Sequence, residues 1–229
     1  MTAIPPLICF DCDGVLVDSE PLAAQCMADL LATHGIAMSW QEASRLFTGK
    51  SQDSARAEIR AAFGVDLAPE DLSRSDADLF RRLQTSLQPV QGIEQVLGSM
   101  TGPVCVTSNS NHRRLEISLG HTGLAGYFGK SVFSAEDVAQ GKPAPDLFHF
   151  AARSMGTVAA ACLVIDDSVS GIAGAVAAGA RAIGFMGGGH ITPGHDEALI
   201  AAGASTIAET ARDLPAAIAR LTGAAFPAM

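Results

Sequence analysis

Residues 8–20 read ICFDCDGVLVDSE and hold two overlapping patterns. Cys9 and Cys12 spell C-x-x-C, a redox or metal spacing, while Asp11 and Asp13 spell D-x-D, a spacing suited to phosphoryl chemistry. Strand geometry separates the two. In an extended segment residues of equal parity share a face, so the aspartates project together and the cysteines point to opposite sides. The cysteines cannot converge on a disulfide while the segment stays extended, and they read as small packing residues. Two carboxylates ending an apolar strand are costly to keep ionised without a cation or strong donors nearby. The chemistry is therefore expected from the aspartates.

Outward from this stretch, short apolar runs recur at Leu7–Phe10, Val104–Thr107, Leu163–Ile165 and Ala182–Phe185, with weaker ones at Ser131–Phe133 and Ser205–Ile207. Helical patterns lie between most of them, at Arg113–Leu119, Pro145–Met155, Val169–Ala178, Glu197–Ala202 and Pro215–Leu221. Buried runs alternating with helices predict an α/β fold, a Rossmann-like doubly wound and mainly parallel sheet with its functional groups beyond the strands' carboxyl ends. One connection breaks the rhythm. Between Gly14 and Pro103 no strand pattern occurs, although a whole βαβ unit needs only about 30 residues. Four helices are expected instead, near Glu20–His34, Trp40–Phe47, Gln52–Phe63 and Glu70–Leu87. Ser39 with Glu42 makes a capping box for the second, and Pro69 opens the fourth. The expected organisation is a core of residues 1–14 and 89–229 with an all-helical cap, residues 15–88, inserted after the first strand.

Composition narrows the partner. The chain has 229 residues, 48% of them hydrophobic and 17% charged, enough to bury a sizeable core. A formal charge of −9 opposes broad contact with a phosphate backbone, so a small molecule is expected rather than nucleic acid. The N-terminal MTAIPPLICF lacks a basic region and does not read as a signal peptide, which points to the cytoplasm. Gly171 to Gly189 is the longest weakly apolar stretch, but its Ala and Gly content and Arg181 do not suit a membrane span. Five scattered cysteines read as buried thiols in a reducing compartment. A monomer or small homo-oligomer is expected.

Three further segments carry chemistry. Asp166-Asp167 ends the run CLVIDD, and two carboxylates at one strand end matched to two at another suit a hard, oxygen-seeking cation such as Mg²⁺. VTSNSN, residues 106–111, passes from strand to helix through Ser108, Asn109 and Ser110, where hydroxyls and free N–H groups could hold a phosphate. GKPAPD, residues 141–146, presents Lys142 from a loop stiffened by Pro143 and Pro145. A magnitude joins them. A carboxylate approaching a phosphate dianion at about 4 Å meets roughly 8 kcal/mol of repulsion at an effective dielectric of about 20. That alone would slow attack by about five to six orders of magnitude, and a divalent metal with a placed lysine is the available remedy.

The order FDCDGVLVDSE, TSNS, GKPAPD and VIDDS resembles the four motifs of the haloacid dehalogenase superfamily, in its phosphatase and β-phosphoglucomutase-like branch with a helical cap after the first motif. The resemblance implies a Rossmann-like core, Mg²⁺ dependence and an aspartyl-phosphate intermediate. By position it implies Asp11 as nucleophile and Asp13 as general acid and then base. It also implies Asp11, Asp167 and the Asp13 carbonyl as metal ligands, with Asp166 supporting them or ligating. Ser108 and Asn109 would bind phosphoryl oxygens, and Lys142 would neutralise charge. The expected function is hydrolysis of a small phosphomonoester, a sugar phosphate or similar metabolite. A sugar-phosphate mutase is the nearest alternative, set back by Ala23 and Gln52 where mutases resemble one another in carrying His and Arg. A catalytically silent binding protein is the alternative of another class, set back by the full set of acidic residues. Substrate selection is expected from the cap segment Thr48, Gly49, Lys50, Ser51 and Gln52 and from the face of the first cap helix. The loop GGGHITPGH, with His190 and His195, reads as flexible and without a role, and Trp40 as a packing residue.

Overall fold

The computed structural model describes residues 6–47 and 52–223. Its first strand, β1 (Leu7–Phe10), is buried at all four positions, as a central parallel strand covered on both faces must be. The other runs form β2 (Val104–Ser108), β3 (Val132–Ser134), β4 (Cys162–Asp166), β5 (Arg181–Phe185) and β6 (Thr206–Ala208). They make one six-stranded sheet in the order β3-β2-β1-β4-β5-β6, every neighbouring pair parallel. The chain winds from β1 out to β3 on one side and returns to lay β4 against the other side of β1. This α/β sheet is Rossmann-like and doubly wound, and the reversal opens a crevice beyond the carboxyl ends of β1 and β4.

Strand parity divides the core in two. Ile8 and Phe10 join an apolar cluster with Val106, Ile165 and Phe185, whereas Leu7 and Cys9 join one on the opposite face with Leu147, Phe148 and Val164. Cys12 belongs to the first cluster and Cys9 to the second, so the C-x-x-C pair is split across the sheet as extended geometry requires. All five cysteines are free and buried. The neighbouring Cys105 sulfur and burial hold the Cys9 thiol well above its ordinary pKa, and burial with the nearby Asp13 and Asp11 charges does the same for Cys12. Both shifts disfavour the thiolate, the form in which a cysteine reacts.

Between β1 and β2 come α1 (Glu20–Thr33), α2 (Trp40–Phe47), α3 (Gln52–Phe63), α4 (Pro69–Ser86) and α5 (Ile93–Ser99). The first four match expectation, and the capping box at α2 is formed: Ser39 N donates to Glu42 Oε2 at 2.8 Å and Glu42 N to Ser39 Oγ at 3.2 Å. These helices bury their own apolar cluster, which includes Leu31, Ala43, Ile59 and Leu67, with Trp40 packed on it. Near its end α4 turns to the sheet, where Leu83 and Leu87 enter the first core cluster. The two connections to the sheet run side by side: Asp18 N donates to Gln88 O and Val90 N to Leu16 O, both at 3.0 Å. The short α5 was not predicted, and neither was α7 (Ala125–Phe128). The remaining helices, α6 (His112–His121), α8 (Asp146–Ser154), α9 (Val169–Ala177), α10 (His195–Ala201) and α11 (Leu214–Thr222), lie where the periodicity places them.

Candidate active site

Asp11 leaves β1 with its backbone N–H donated to Ile165 O at 2.9 Å, so its position is set by pairing with β4. The Asp166 end of β4 is thereby beside it. Among the described residues Asp11, Asp166 and Asp167 form a buried carboxylate cluster whose ligand atoms all lie within 4.8 Å of one another. Lys142 reaches into it from the loop before α8. Its Nζ donates to Asp11 Oδ1 at 2.8 Å and to Asp166 Oδ2 at 2.7 Å, with the side chain only 3% exposed. Burial opposes the ammonium's charge, but Asp11 and Asp166 outweigh it and raise the Lys142 pKa.

Asp166 is fully engaged. Besides Lys142 it accepts from Ser168 N at 2.9 Å and Ser168 Oγ at 2.7 Å, and Ser168 Oγ in turn accepts Gly171 N at the start of α9. A Cβ at Gly171 would come within 2.2 Å of all three carboxylate atoms of Asp166. Asp11 and Asp167 are less satisfied: burial pushes both carboxyls above their ordinary pKa, against the pull of Lys142 on the first and His190 on the second. Desolvated carboxylates in excess of their cations need a further positive charge, and the donor set is all oxygen. These residues fit a hard divalent cation.

Asp13 faces a different set of donors. Its carboxylate accepts from Arg114 Nη2 at 2.7 Å and from the hydroxyls of Ser110 and Ser19, each at 2.5 Å. Burial pushes this carboxyl up, but the Arg114 charge and the two hydroxyls prevail and hold it below the usual carboxylate range. Glu20, at the start of α1, is pushed up to about 7 by burial and the Asp13 charge, which outweigh the pull of Arg114 and His190.

The phosphate-binding expectation divides between its two residues. Ser108, at the end of β2, is buried, and its Oγ accepts Ser110 N at 3.1 Å, which leaves the hydroxyl proton to donate. The Asn109 side chain is turned elsewhere: Nδ2 donates to Lys142 O at 2.9 Å and Oδ1 accepts Lys142 N at 2.8 Å. It clamps the lysine's backbone in place, and a Cβ at Gly141 would meet it at 2.6 Å. Thr48, Gly49, Lys50 and Ser51 lie outside the described residues, as does the Gln52 side chain.

Four participants were missed from sequence. Arg114 sits one turn into α6, where Asn111 caps the helix by accepting its N–H at 2.8 Å, and nothing in an Arg-Arg pair tells which one turns inward. Ser19 directly precedes α1, and nothing in the sequence marks its hydroxyl for Asp13. The 186–195 loop is a correction: it is no loose connection, since His190 Nε2 lies 3.1 Å from Asp167 Oδ2 with a side chain only 7% exposed, and His195 contacts the Asp167 backbone. Repeated Gly and Pro read as looseness, whereas here Gly188 permits close packing against Gly14.

A doubly wound sheet that collects carboxylates and one buried lysine at its switch point defines a hydrolytic or group-transfer enzyme built for anionic substrates. The chain belongs to the haloacid dehalogenase-like hydrolase family, whose model matches residues 5–179. It is 30% identical over 185 residues to the 6-phosphogluconate phosphatase of Escherichia coli, spanning 80% of this chain and 84% of that protein. It is 33% identical over 177 residues to a fructose-1-phosphate phosphatase of the same organism, spanning 76% and 93%. Among solved structures it resembles a family hydrolase from Deinococcus radiodurans with bound phosphate and sodium, at 32% identity and a TM-score of 0.84 over 95% of this chain and 96% of that one. These relatives put the chain among the family's phosphatases.

Proposed function

We propose that the protein is a Mg²⁺-dependent phosphatase that hydrolyses a small phosphomonoester, a sugar phosphate or similar metabolite, through a phosphorylated Asp11. The observation that carries this reading is Lys142 Nζ shared between Asp11 and Asp166 beside the Asp167 carboxylate. That arrangement keeps a nucleophilic carboxylate and a cation together where a phosphate dianion must approach. The sugar-phosphate phosphatases among its relatives favour the same class of substrate.

In this reading an Asp11 oxygen attacks phosphorus, the bond to the leaving oxygen breaks, and Asp13 gives that oxygen its proton. Asp13 then takes a proton from water as the water oxygen attacks phosphorus, releasing phosphate and Asp11. Asp11, Asp167 and the Asp13 carbonyl would hold Mg²⁺, which supplies charge neutralisation for the transferring oxygens. Ser108 and the backbone around Asn109 would bind those oxygens. Because Arg114, Ser110 and Ser19 favour ionised Asp13, its role as an acid requires substrate binding to loosen that grip. Ser19 lies on the connection into α1, so movement of the helical cap, residues 15–88, over the crevice would withdraw its hydroxyl from Asp13. The segment Thr48–Gln52 would then help choose the leaving group, and a soluble cytoplasmic enzyme acting as a monomer or small homo-oligomer completes the reading.

The test is phosphate release from a panel of phosphorylated sugars, sugar acids and other small phosphomonoesters with Mg²⁺, ranked by kcat/KM. Selective turnover abolished by excess EDTA and by Asp11→Asn is expected. Release that survives either treatment would sink the mechanism.

A further inference from the structure

The loop between β5 and α10 touches the site without a part in the steps above. His190 Nε2 stands 3.1 Å from Asp167 Oδ2, and His195 Nε2 stands 2.5 Å from the backbone oxygen of the same aspartate. A carbonyl oxygen only accepts, so His195 carries a proton on Nε2 and donates it. The two rings pack edge to face, with centroids 6.2 Å apart and planes at 80°. The loop and the first residue of α10 therefore grip the side chain and the main chain of a single residue.

The seating of this loop depends on missing side chains. A Cβ on Gly188 would lie 2.9 Å from Gly14 O and from the His190 ring. One on Gly14 would lie 1.8 Å from Asp167 Oδ2 and 3.0 Å from His190 Cε1. Gly189 N adds a hydrogen bond of 2.8 Å to Asp18 Oδ1, tying the loop to the segment that leads into α1. The buried Nδ1 of His190 has no hydrogen-bond partner among the described residues. An imidazole retained for packing would gain by satisfying that nitrogen; here the ring packs on His195 and turns its other nitrogen to Asp167.

We propose that His190 and His195 are positioning residues for Asp167, fixing its carboxylate beside Asp11 and Asp166 so that a divalent cation meets a preformed ligand set. The inference rests on the reading of Asp11 and Asp167 as metal ligands. Carboxylates that ligate metals are held by outer hydrogen bonds, and loss of such a bond weakens metal binding because the ligand must be ordered at the moment of binding.

The test is calorimetric titration of the full chain with Mg²⁺ alone, in the unaltered protein and in His190→Leu, His190→Gln and His195→Leu. In His190→Leu the Mg²⁺ dissociation constant is expected to rise by about tenfold or more, the usual effect of removing such a support. His190→Gln keeps an N–H donor and is expected to recover most of the affinity, with substrate KM at saturating Mg²⁺ unchanged. A folded His190→Leu that binds Mg²⁺ as the unaltered protein does overturns the inference and leaves the phosphatase reading standing. If His190→Leu does not fold, His195→Leu decides the question by the same criterion. Failure of the unaltered protein to bind Mg²⁺ would overturn the metal reading and this inference with it.

Discussion

Lys142 Nζ lies 2.8 Å from Asp11 Oδ1 across a sequence separation of 131 residues, and the Asn109 side chain holds the lysine's backbone so that the reach is fixed. The same ammonium neutralises Asp166 at 2.7 Å. Lys142→Met keeps the length of the stem and removes the charge, so kcat is expected to fall by about 10²–10³, as for loss of one preorganised stabilising donor. Steady-state phosphate release with a good substrate measures this; a fall of less than about tenfold would remove Lys142 from the chemistry.

Asp13 divides the reaction into halves that a substitution can separate. With p-nitrophenyl phosphate the leaving group needs no proton, so Asp13→Asn is expected still to phosphorylate Asp11 and then to stall for want of a base. Rapid mixing should show release of about one equivalent of nitrophenol followed by almost no turnover. Turnover at the unaltered rate after the first equivalent would show that another group activates water.

Gly14 has φ +80°, and a Cβ there would overlap Asp167 Oδ2. Gly14→Ala is therefore expected to cost more than about 1 kcal/mol in urea unfolding, from the backbone conformation alone. The displaced Asp167 should also raise the Mg²⁺ concentration needed for half-maximal activity. Unchanged stability and metal dependence would contradict the close approach of these residues.

The clasp between α1 and α4 has a pH signature. Arg82 Nε donates to Asp78 at 3.0 Å and Nη2 to Asp29 at 2.5 Å. Partial burial pushes the Asp78 carboxyl up, but the hydrogen bond and charge of Arg82 prevail and leave it below its ordinary value. A carboxyl lowered in the folded state contributes stability that is present above its unfolded pKa and is lost as pH falls through the folded one. With side chains 22–48% exposed, Arg82→Met is expected to cost only up to about 1 kcal/mol at pH 7. That difference should shrink as the pH drops below about 4. Urea unfolding at several pH values measures it, and a loss that grew on acidification would refute the assignment.

Elements with strong periodicity or long apolar runs were readable one residue at a time. Trp40–Phe47 and Gln52–Phe63 match the predicted helices end to end, because a capping box or a sharp change of pattern marks their limits. The helix Ile93–Ser99 was not readable, since seven residues give less than two turns of pattern and its start is a Gly92 backbone at φ +87°. Asp11, Asp166, Asp167 and Lys142 were readable because each stands at a marked place, a strand end or a proline-stiffened loop. Arg114 and His190 were not, since their meaning depends on what lies across the crevice.

The sequence by itself determined the alternation of buried strands and helices, the parity that separates Cys9 and Cys12 from the aspartates, and the acidic character of two strand ends. These are consequences of local periodicity and of chain order. Only the tertiary structure decided that Lys142 is shared by Asp11 and Asp166, that Asn109 serves the lysine's backbone, and that a glycine-rich loop closes on Asp167. The reason is physical: a hydrogen bond depends on distances of about 3 Å, and these are set by how the strands register and the loops pack.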